Sequence, residues 1–332
     1  MKKLALFLVL LSAFVSASAQ KKQNVYFLKN SGREVVRDSA DFIRVIQEPD
    51  SGSAYFSLLE FYLDGKRKAV GTVSAFSPRV VYEGQLLSFY KKGTKRRLLN
   101  FRDGKVTGLA RYYFGNGELQ KTVEYPDSSG FTDVLITPVI NAGDLPPGMS
   151  KLIFQADSSG KVMVKDGNGH VSEIENAVKE TTVEGDYKDG LKDGLWEAKS
   201  KDGNYWYKEQ YAAGKLISGQ SGKDGKTYTY KNLFEGPGFK GGMNAFYNYL
   251  SYTIKYPRDA QENRIQGKVF LSFVVETDGK LTDIKVVRSL YPSLDEEAMR
   301  ALRYSPRWMS GTNHGVPIRV KYNIPVNFNL NR

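Results

Sequence analysis

From Phe61 to Lys231 the chain is punctuated by Asp-Gly and Asn-Gly pairs set between short aromatic stretches, and this punctuation constrains the fold more than any other feature. Such a pair supplies the positive φ angles of a tight turn, so each one predicts a β-hairpin. The pattern repeats. Tyr90-Lys91-Lys92-Gly93 returns as Tyr113-Phe114-Gly115-Asn116-Gly117, and Tyr187-Lys188-Asp189-Gly190 returns as Tyr211-Ala212-Ala213-Gly214, each with its turn glycines 24 residues apart. Asp103-Gly104, Asp202-Gly203 and Asp224-Gly225 fall between and after. A single hairpin cannot bury its aromatic face, but a stack of them can, which predicts a one-layer or weakly curved antiparallel sheet. Between the two arrays, 127–180 holds the turn clusters Asp127-Ser128-Ser129-Gly130, Pro146-Pro147-Gly148 and Asp157-Ser158-Ser159-Gly160. It reads as a linking β segment in which Leu152-Ile153-Phe154 and Val162-Met163-Val164 pair.

Composition removes most enzyme chemistry. With no cysteine there is no thiol nucleophile, thiolate metal site or disulfide, and only His170 and His314 offer imidazole. No acid–base constellation stands out, no metal or cofactor is expected, and the chain reads as a non-enzyme. The 48 Lys+Arg against 36 Asp+Glu leave a formal charge of +12. Lys2 and Lys3, the apolar run Leu4–Val15 and the small residues Ala17-Ser18-Ala19 have the form of an export signal cleaved near Ala19, with an uncleaved anchor as the alternative. No later segment reaches spanning length, so the mature chain is expected in the periplasm without a spanning helix. An exported basic chain points to acidic partner surfaces or envelope polymers instead of nucleic acid.

The carboxy-terminal hundred residues carry a different pattern. Phe246, Tyr249 and Leu250 recur at helical spacing in a segment from Met243 to Ile254 that stops at Tyr256-Pro257. Gly267–Glu276 alternates as a half-buried strand, Asp278-Gly279 turns it, and Leu281–Ser289 returns. Ser293-Leu294-Asp295-Glu296 predicts a capping box, with the Ser293 hydroxyl on the Glu296 amide, opening a helix whose Leu294, Ala298, Ala301 and Leu302 share a face. Ile318, Val320, Tyr322, Ile324, Val326 and Phe328 then alternate strictly with Arg319, Lys321, Asn323, Pro325 and Asn327, predicting one long half-buried strand. Pro325 has no amide to donate, so that strand belongs at a sheet edge or a bulge, where main chain is open to a partner's main chain.

The aromatic, turn glycine and second glycine of Asp189-Gly190-Leu191-Lys192-Asp193-Gly194-Leu195-Trp196 resemble MORN-type and related antitoxin-like repeats. The segment from about Phe239 to Leu330, with Phe-x-Gly-Gly, Tyr-Pro, Gly-x-Val, Asp-Gly, Leu-Asp-Glu-Glu-Ala and Pro-Val-x-Phe in that order, resembles the TonB C-terminal domain. That resemblance implies an α+β domain of two helices and an antiparallel sheet, following the mostly β region of stacked hairpins. It also implies a domain that binds an extended segment of an outer-membrane TonB-dependent receptor by strand addition, in transmembrane transport. On that reading the partner contacts are Val316, Ile318, Arg319, Val320, Lys321, Tyr322, Asn323, Ile324 and Pro325. Gly241, Gly242, Tyr256 and Pro257 are then the family-motif residues. The expected organisation is a signal segment 1–19, a β-rich region with repeats 20–126, the linking segment 127–180, a second array 181–233 and the terminal domain 234–332. If the Ile324 amide faces the partner, Ile324→Pro should abolish binding more than it harms folding; the sequence alone does not orient that amide.

Two departures separate the chain from a working energy transducer: the amino-terminal apolar run contains no His, Asp or Glu, and repeats stand where a Pro-rich spacer would be. The second reading is therefore a structural protein of the cell envelope that uses repeats and terminal domain for protein or polymer contacts. A homodimer through edge strands is compatible with either. Other signals read as scaffold. Gly236-Pro237-Gly238-Phe239-Lys240-Gly241 fits a dinucleotide fingerprint by letter but has no βαβ unit around it. His170 and His314 lie in turns and are expected to be solvated. The run Lys91–Arg97 is a wet hairpin tip, Glu296 and Glu297 are first-turn acids and not a catalytic pair, and the 21 tyrosines form the aromatic ladder of the sheets.

Overall fold

The computed structural model describes residues 22–49, 51–77, 79–127, 150–176 and 180–330; the export-signal reading and the clusters at 128–130 and 146–148 fall outside them. The chain forms two compact units, the first from the described residues up to 127 with 158–160, the second from 150–157 and 161–330.

The first unit is a meander of nine strands: β1 Gln23–Leu28, β2 Phe42–Gln47, β3 Phe56–Tyr62, β4 Arg67–Ala75, β5 Val81–Phe89, β6 Lys95–Arg102, β7 Lys105–Val106, β8 Gly108–Tyr113 and β9 Leu119–Tyr125. Each pairs antiparallel with its predecessor, except that β6 is shared by β7 and β8. Glu60, 5% exposed, is held by Arg44 and Lys68 from the flanking strands at 2.7 Å each, so its buried charge is fully paired.

The second unit begins with another meander: β10 Lys151–Ala156, β11 Val162–Lys165, β12 Asn168–Asn176, β13 Thr181–Lys188, β14 Leu191–Ser200, β15 Tyr205–Ala212, β16 Lys215–Lys223 and β17 Lys226–Tyr230. Period-two alternation in β15 turns Tyr207, Glu209 and Tyr211 to the buried face and Lys208 and Gln210 to the exposed one. Glycines make room for neighbouring rings: a Cβ on Gly185 would lie 2.3 Å from the Trp196 indole, and one on Gly222 2.2 Å from that of Trp206.

The turns are of two kinds, a distinction that the Asp-Gly signal alone does not make. At Asp103-Gly104, Asp166-Gly167, Asp189-Gly190, Ala213-Gly214 and Asp224-Gly225 both residues have positive φ, the two-residue hairpin geometry. At Asp64-Gly65, Asn116-Gly117, Asp202-Gly203 and Asp278-Gly279 only the glycine does. There the acidic or amide side chain accepts from the N–H two residues on, as at Lys66, Glu118, Asn204 and Lys280.

The chain then passes through β18 Phe234–Glu235, α1 Gly242–Thr253, α2 Arg258–Glu262, β19 Gly267–Val275, β20 Leu281–Arg288, α3 Pro292–Arg303, β21 Gly311–Asn313, β22 Val316–Ile318 and β23 Val320–Phe328. One three-stranded sheet runs β20-β19-β23 and another β18-β21-β22. Val269, Leu271, Phe273 and Val275 of β19 pack with Phe246 and Leu250 of α1, with Leu294, Ala298, Ala301 and Leu302 of α3, and with Ile324, Val326 and Phe328 of β23. Each large side chain in this core stabilises the fold by about 1.5–3 kcal/mol. Trp308 closes it, edge-on to Phe239, Phe246 and Phe273.

Three expectations need correction here. The domain holds three α-helices, not two: Tyr-Pro ends α1, but Pro257 also fixes the start of the short α2, where Gln261 N–H donates to its carbonyl at 3.0 Å. The capping box is not formed. Pro292 occupies the first turn of α3, which needs no donor there, Ser293 Oγ is buried without a hydrogen-bond partner, and Asp295 instead accepts from the Ser289 hydroxyl and, at 3.1 Å, from Leu290 N–H. The long terminal strand is interrupted at Arg319, where the chain changes partner from β21 to β19.

Candidate functional site

The third strand of the β20-β19-β23 sheet has β19 as its sole sheet neighbour among the described residues, so β23 is an edge strand. The register, from Gly267 opposite Phe328 to Val275 opposite Val320, runs unbroken past Pro325. In an antiparallel ladder alternate residues turn their main chain to one neighbour or the other. Because Pro325 has no N–H, a ladder with residue 325 facing β19 would lose a bond there. The hairpin gives the same parity independently. Glu276 N–H donates to Lys280 O at 2.9 Å, so residue 276 faces β20 and Val275 faces β23, opposite Val320. Even-numbered residues of β23 thus carry the ladder to β19. The N–H groups of Lys321, Asn323 and Asn327, with the carbonyls of 321, 323, 325 and 327, point to the free flank.

Side chains follow the same alternation. Ile324 is 2% exposed and Tyr322 stands 5.9 Å from the Phe273 ring, while Lys321, Asn323 and Asn327 are exposed on the face away from the helices. Across that face Phe270 lies between Pro325 and Arg288, whose guanidinium is 4.2 Å from its ring centre, and Ser272 lies between Asn323 and Lys285. A cleft of about 420 Å³ opens beside the end of β23, lined by Tyr247, Ser251, Ile254, Tyr256, Gln261 and Asn327 among others.

The sequence-predicted contacts are therefore only partly brought together. Val320, Lys321, Tyr322, Asn323, Ile324 and Pro325 share β23, but Val316 and Ile318 lie in β22, paired with Asn313 and Gly311. Their two-residue turn has both His314 and Gly315 at positive φ, which makes Asn313 and Val316 the bonded pair and turns the position of Pro317's missing donor away from β21. Arg319, between the strands, is bound by both carboxylate oxygens of Glu276 at 2.6 and 2.9 Å. This pair holds the Glu276 carboxyl below its usual range, helped by the Thr282 hydroxyl. Gly241 and Gly242 open α1 at φ +89° and +81°, and Tyr256 packs edge-on against Phe328 at the end of β23. The end of α1 is tied to the middle of α3 by Glu297, which accepts from Lys255 N–H at 2.6 Å and from Arg300. Burial raises this carboxyl, and those hydrogen bonds outweigh it and leave it below the usual range.

His314 is not solvated. Its ring stacks on Tyr207 at 4.6 Å, stands edge-on to Tyr230, and brings Nε2 to 3.3 Å from Glu209 Oε1. Its N–H donates to Leu233 O at 2.7 Å and its carbonyl accepts from the Ser221 hydroxyl at 2.6 Å. Turn propensity placed it correctly in the chain, but the wall of tyrosines that receives it comes from strands a hundred residues earlier. His170, in contrast, is exposed and 2.8 Å from Asp186. No helix among the described residues is long and apolar enough to cross a membrane.

Residues 252–330 match the family model described as the Gram-negative bacterial TonB protein C-terminal. The curated "Protein TonB" of Helicobacter pylori (strain J99) is 32% identical over 82 residues, 24% of this chain, and the chain spans only 28% of that relative's length. A solution structure of the Helicobacter pylori TonB C-terminal domain is 28% identical and covers 27% of this chain and 95% of its own, with a TM-score of 0.23. A longer version of that domain is 29% identical, covering 27% and 81%, with a TM-score of 0.22. The MORN-like character of the two meanders has no counterpart in these comparisons.

Proposed function

With residues 252–330 belonging to the TonB C-terminal family, we propose that this domain takes up an extended segment of an outer-membrane TonB-dependent receptor as an added strand on the free flank of β23, in the periplasm. The observation that carries this reading is the parity of the edge: donors at Lys321, Asn323 and Asn327 face away from β19, and the proline falls where a donor is dispensable. An added strand bonds most continuously along Lys321–Asn323, because opposite Pro325 a partner carbonyl meets no N–H. The cations on the exposed face, Lys268, Lys285, Arg288 and Lys321, favour a segment with acidic side chains on that side. The cleft beside Tyr256 is large enough to accept a side chain from the partner's end.

The domain boundaries proposed are those of the sequence reading, with the signal segment removed near Ala19 and the terminal domain starting near Phe234. The test is titration of the full chain with peptides from receptor amino-terminal segments, followed by amide chemical shifts. Shifts concentrated at Lys321, Asn323 and Asn327 support strand addition; shifts confined to α1, or none at millimolar peptide, overturn it. A second copy docking by the same flank appears as concentration-dependent line broadening at the same amides without peptide.

A further inference from the structure

The hairpin β21–β22 runs directly into the proposed binding strand, and its tip is embedded in the second meander. Glu209 is 1% exposed; its carboxylate accepts from the Tyr230 hydroxyl at 2.7 Å and the Tyr211 hydroxyl at 3.0 Å, and His314 Nε2 stands 3.3 Å from its Oε1. Both hydroxyls come from the meander itself; the imidazole is delivered by the hairpin. A buried carboxylate is costly unless it is paired and hydrogen-bonded; the two hydroxyls supply hydrogen bonds, and the histidine beside it can carry a compensating positive charge. The fit is close on every side. A Cβ on Gly315 would come within 3.0 Å of both Tyr228 and Tyr230, and Ser221, fully buried, reaches the His314 carbonyl. A main-chain bond adds to the seam, from His314 N–H to Leu233 O.

We propose that Glu209 and His314 form a positioning pair that anchors the binding strand in the second meander. The repeats at 181–233 are therefore the foundation of the edge and not a spacer ahead of it. The three-residue strands β21 and β22 cannot hold their own geometry, since a short hairpin is marginal in water. The pair fixes the turn, the turn fixes Val316–Ile318, and the Arg319–Glu276 clamp carries the alignment into Val320. This inference rests on the reading of β23 as the docking strand, but its test does not need a partner.

Hydrogen exchange of the full chain, without peptide, is compared for the wild type and for His314→Phe, His314→Gln and Glu209→Gln. Phe keeps the ring on Tyr207 and removes its nitrogens; Gln keeps an N–H and removes the ring. The expected result is exchange at least tenfold faster across Thr312–Val320 in His314→Phe, with wild-type protection largely restored in His314→Gln, and unchanged protection of Leu98–Leu99 in the first unit. If Phe protects the segment as well as histidine does, or if Glu209→Gln leaves it within twofold of the wild type, the positioning pair is refuted and the ring acts by packing alone. Global unfolding of His314→Phe with a native His314→Gln supports the pair, whereas unfolding of both with a native Glu209→Gln refutes it. Peptide titration of the same variants is read separately. Wild-type protein that binds no peptide refutes strand addition and leaves the exchange result standing.

Discussion

Two proline substitutions at adjacent positions of β23 test the parity of the edge. In Ile324→Pro the lost N–H is the one that serves Leu271 C=O inside the core, and leaving a buried carbonyl without its donor costs about 1–3 kcal/mol. The exchange of a 2%-exposed isoleucine for a smaller ring adds about 1 kcal/mol. The sum, about 2–4 kcal/mol, lowers the urea midpoint by roughly 1 M or more at a slope of about 1–3 kcal/mol/M. In Asn323→Pro the amide lost faces solvent and the side chain is exposed, so the fold loses no ladder bond and stability changes by about 1 kcal/mol or less. Binding shows the reverse order. Asn323→Pro removes the middle donor of the free flank and should weaken a receptor peptide tenfold or more, read by calorimetry. The stability assay is urea unfolding followed through exchange of Val269, Leu271 and Phe273, which reports this sheet alone. If Asn323→Pro proves as destabilising as Ile324→Pro, the free flank is not where the register places it, and strand addition at these residues fails with it.

Ala213 sits at φ +46° in a turn whose four counterparts within the two meanders carry aspartate. Ala213→Asn should raise stability by about 0.5–1.5 kcal/mol, measured as a higher melting temperature, since a left-handed alanine costs about 1–2 kcal/mol and asparagine tolerates that region. Gly185→Ala drives a methyl into the Trp196 indole and should destabilise the second meander by about 1–3 kcal/mol with a red-shifted tryptophan emission, whereas Gly203→Ala, which meets no atom within 4 Å and costs about 1–2 kcal/mol through its φ of +73° alone, should leave the emission of the folded protein unchanged. Glu276 is held low by Arg319 and Thr282, and Asp278 by the Lys280 amide and Arg307. A carboxyl depressed in the folded state stabilises above its unfolded value, 4.5 for Glu276 and 3.8 for Asp278, and that contribution is lost as pH falls through the lower folded value. Exchange protection at Arg319–Val320 should therefore be flat from pH 7 to 5 and fall below about pH 4, with the step reduced in Glu276→Gln.

What the sequence revealed and what it withheld divide along sequence separation. The hairpins announce themselves because Asp-Gly acts locally: at Asp224-Gly225 both residues take positive φ and a Cβ on the glycine would meet no atom within 4 Å. The helices α1 and α3 and the strands β19 and β20 are legible for the same reason, their burial period being written in consecutive residues. The capping box failed because Pro292 already fills the first turn, which frees Asp295 to reach backward to Leu290. His314 was misjudged for a different reason. A turn histidine is usually wet, and nothing near Asn313-His314-Gly315 indicates that Tyr207, Glu209 and Tyr230 have built a receptacle for it. Nor does the alternation from Ile318 to Phe328 reveal the break at Arg319, because the side-chain pattern is the same whether the strand pairs with one neighbour throughout or changes from β21 to β19.

The prolines did hold one piece of long-range information in local form. In an interior strand both flanks need donors, and a proline on either parity breaks a ladder; at an edge one parity is free. Pro317 and Pro325 are both odd-numbered, and each falls opposite a residue, Thr312 or Phe270, to which its strand owes no N–H. The apolar residues of the same stretch are even-numbered, so the side chains that enter the core belong to the residues whose main chain is already engaged. A partner would consequently meet residues such as Lys321 and Asn323, free in both main chain and side chain, and could change its own sequence opposite them without disturbing the core. Selection for binding and selection for folding thus act on alternate residues of one strand, which is the condition under which a docking edge can be altered without unfolding the domain that presents it.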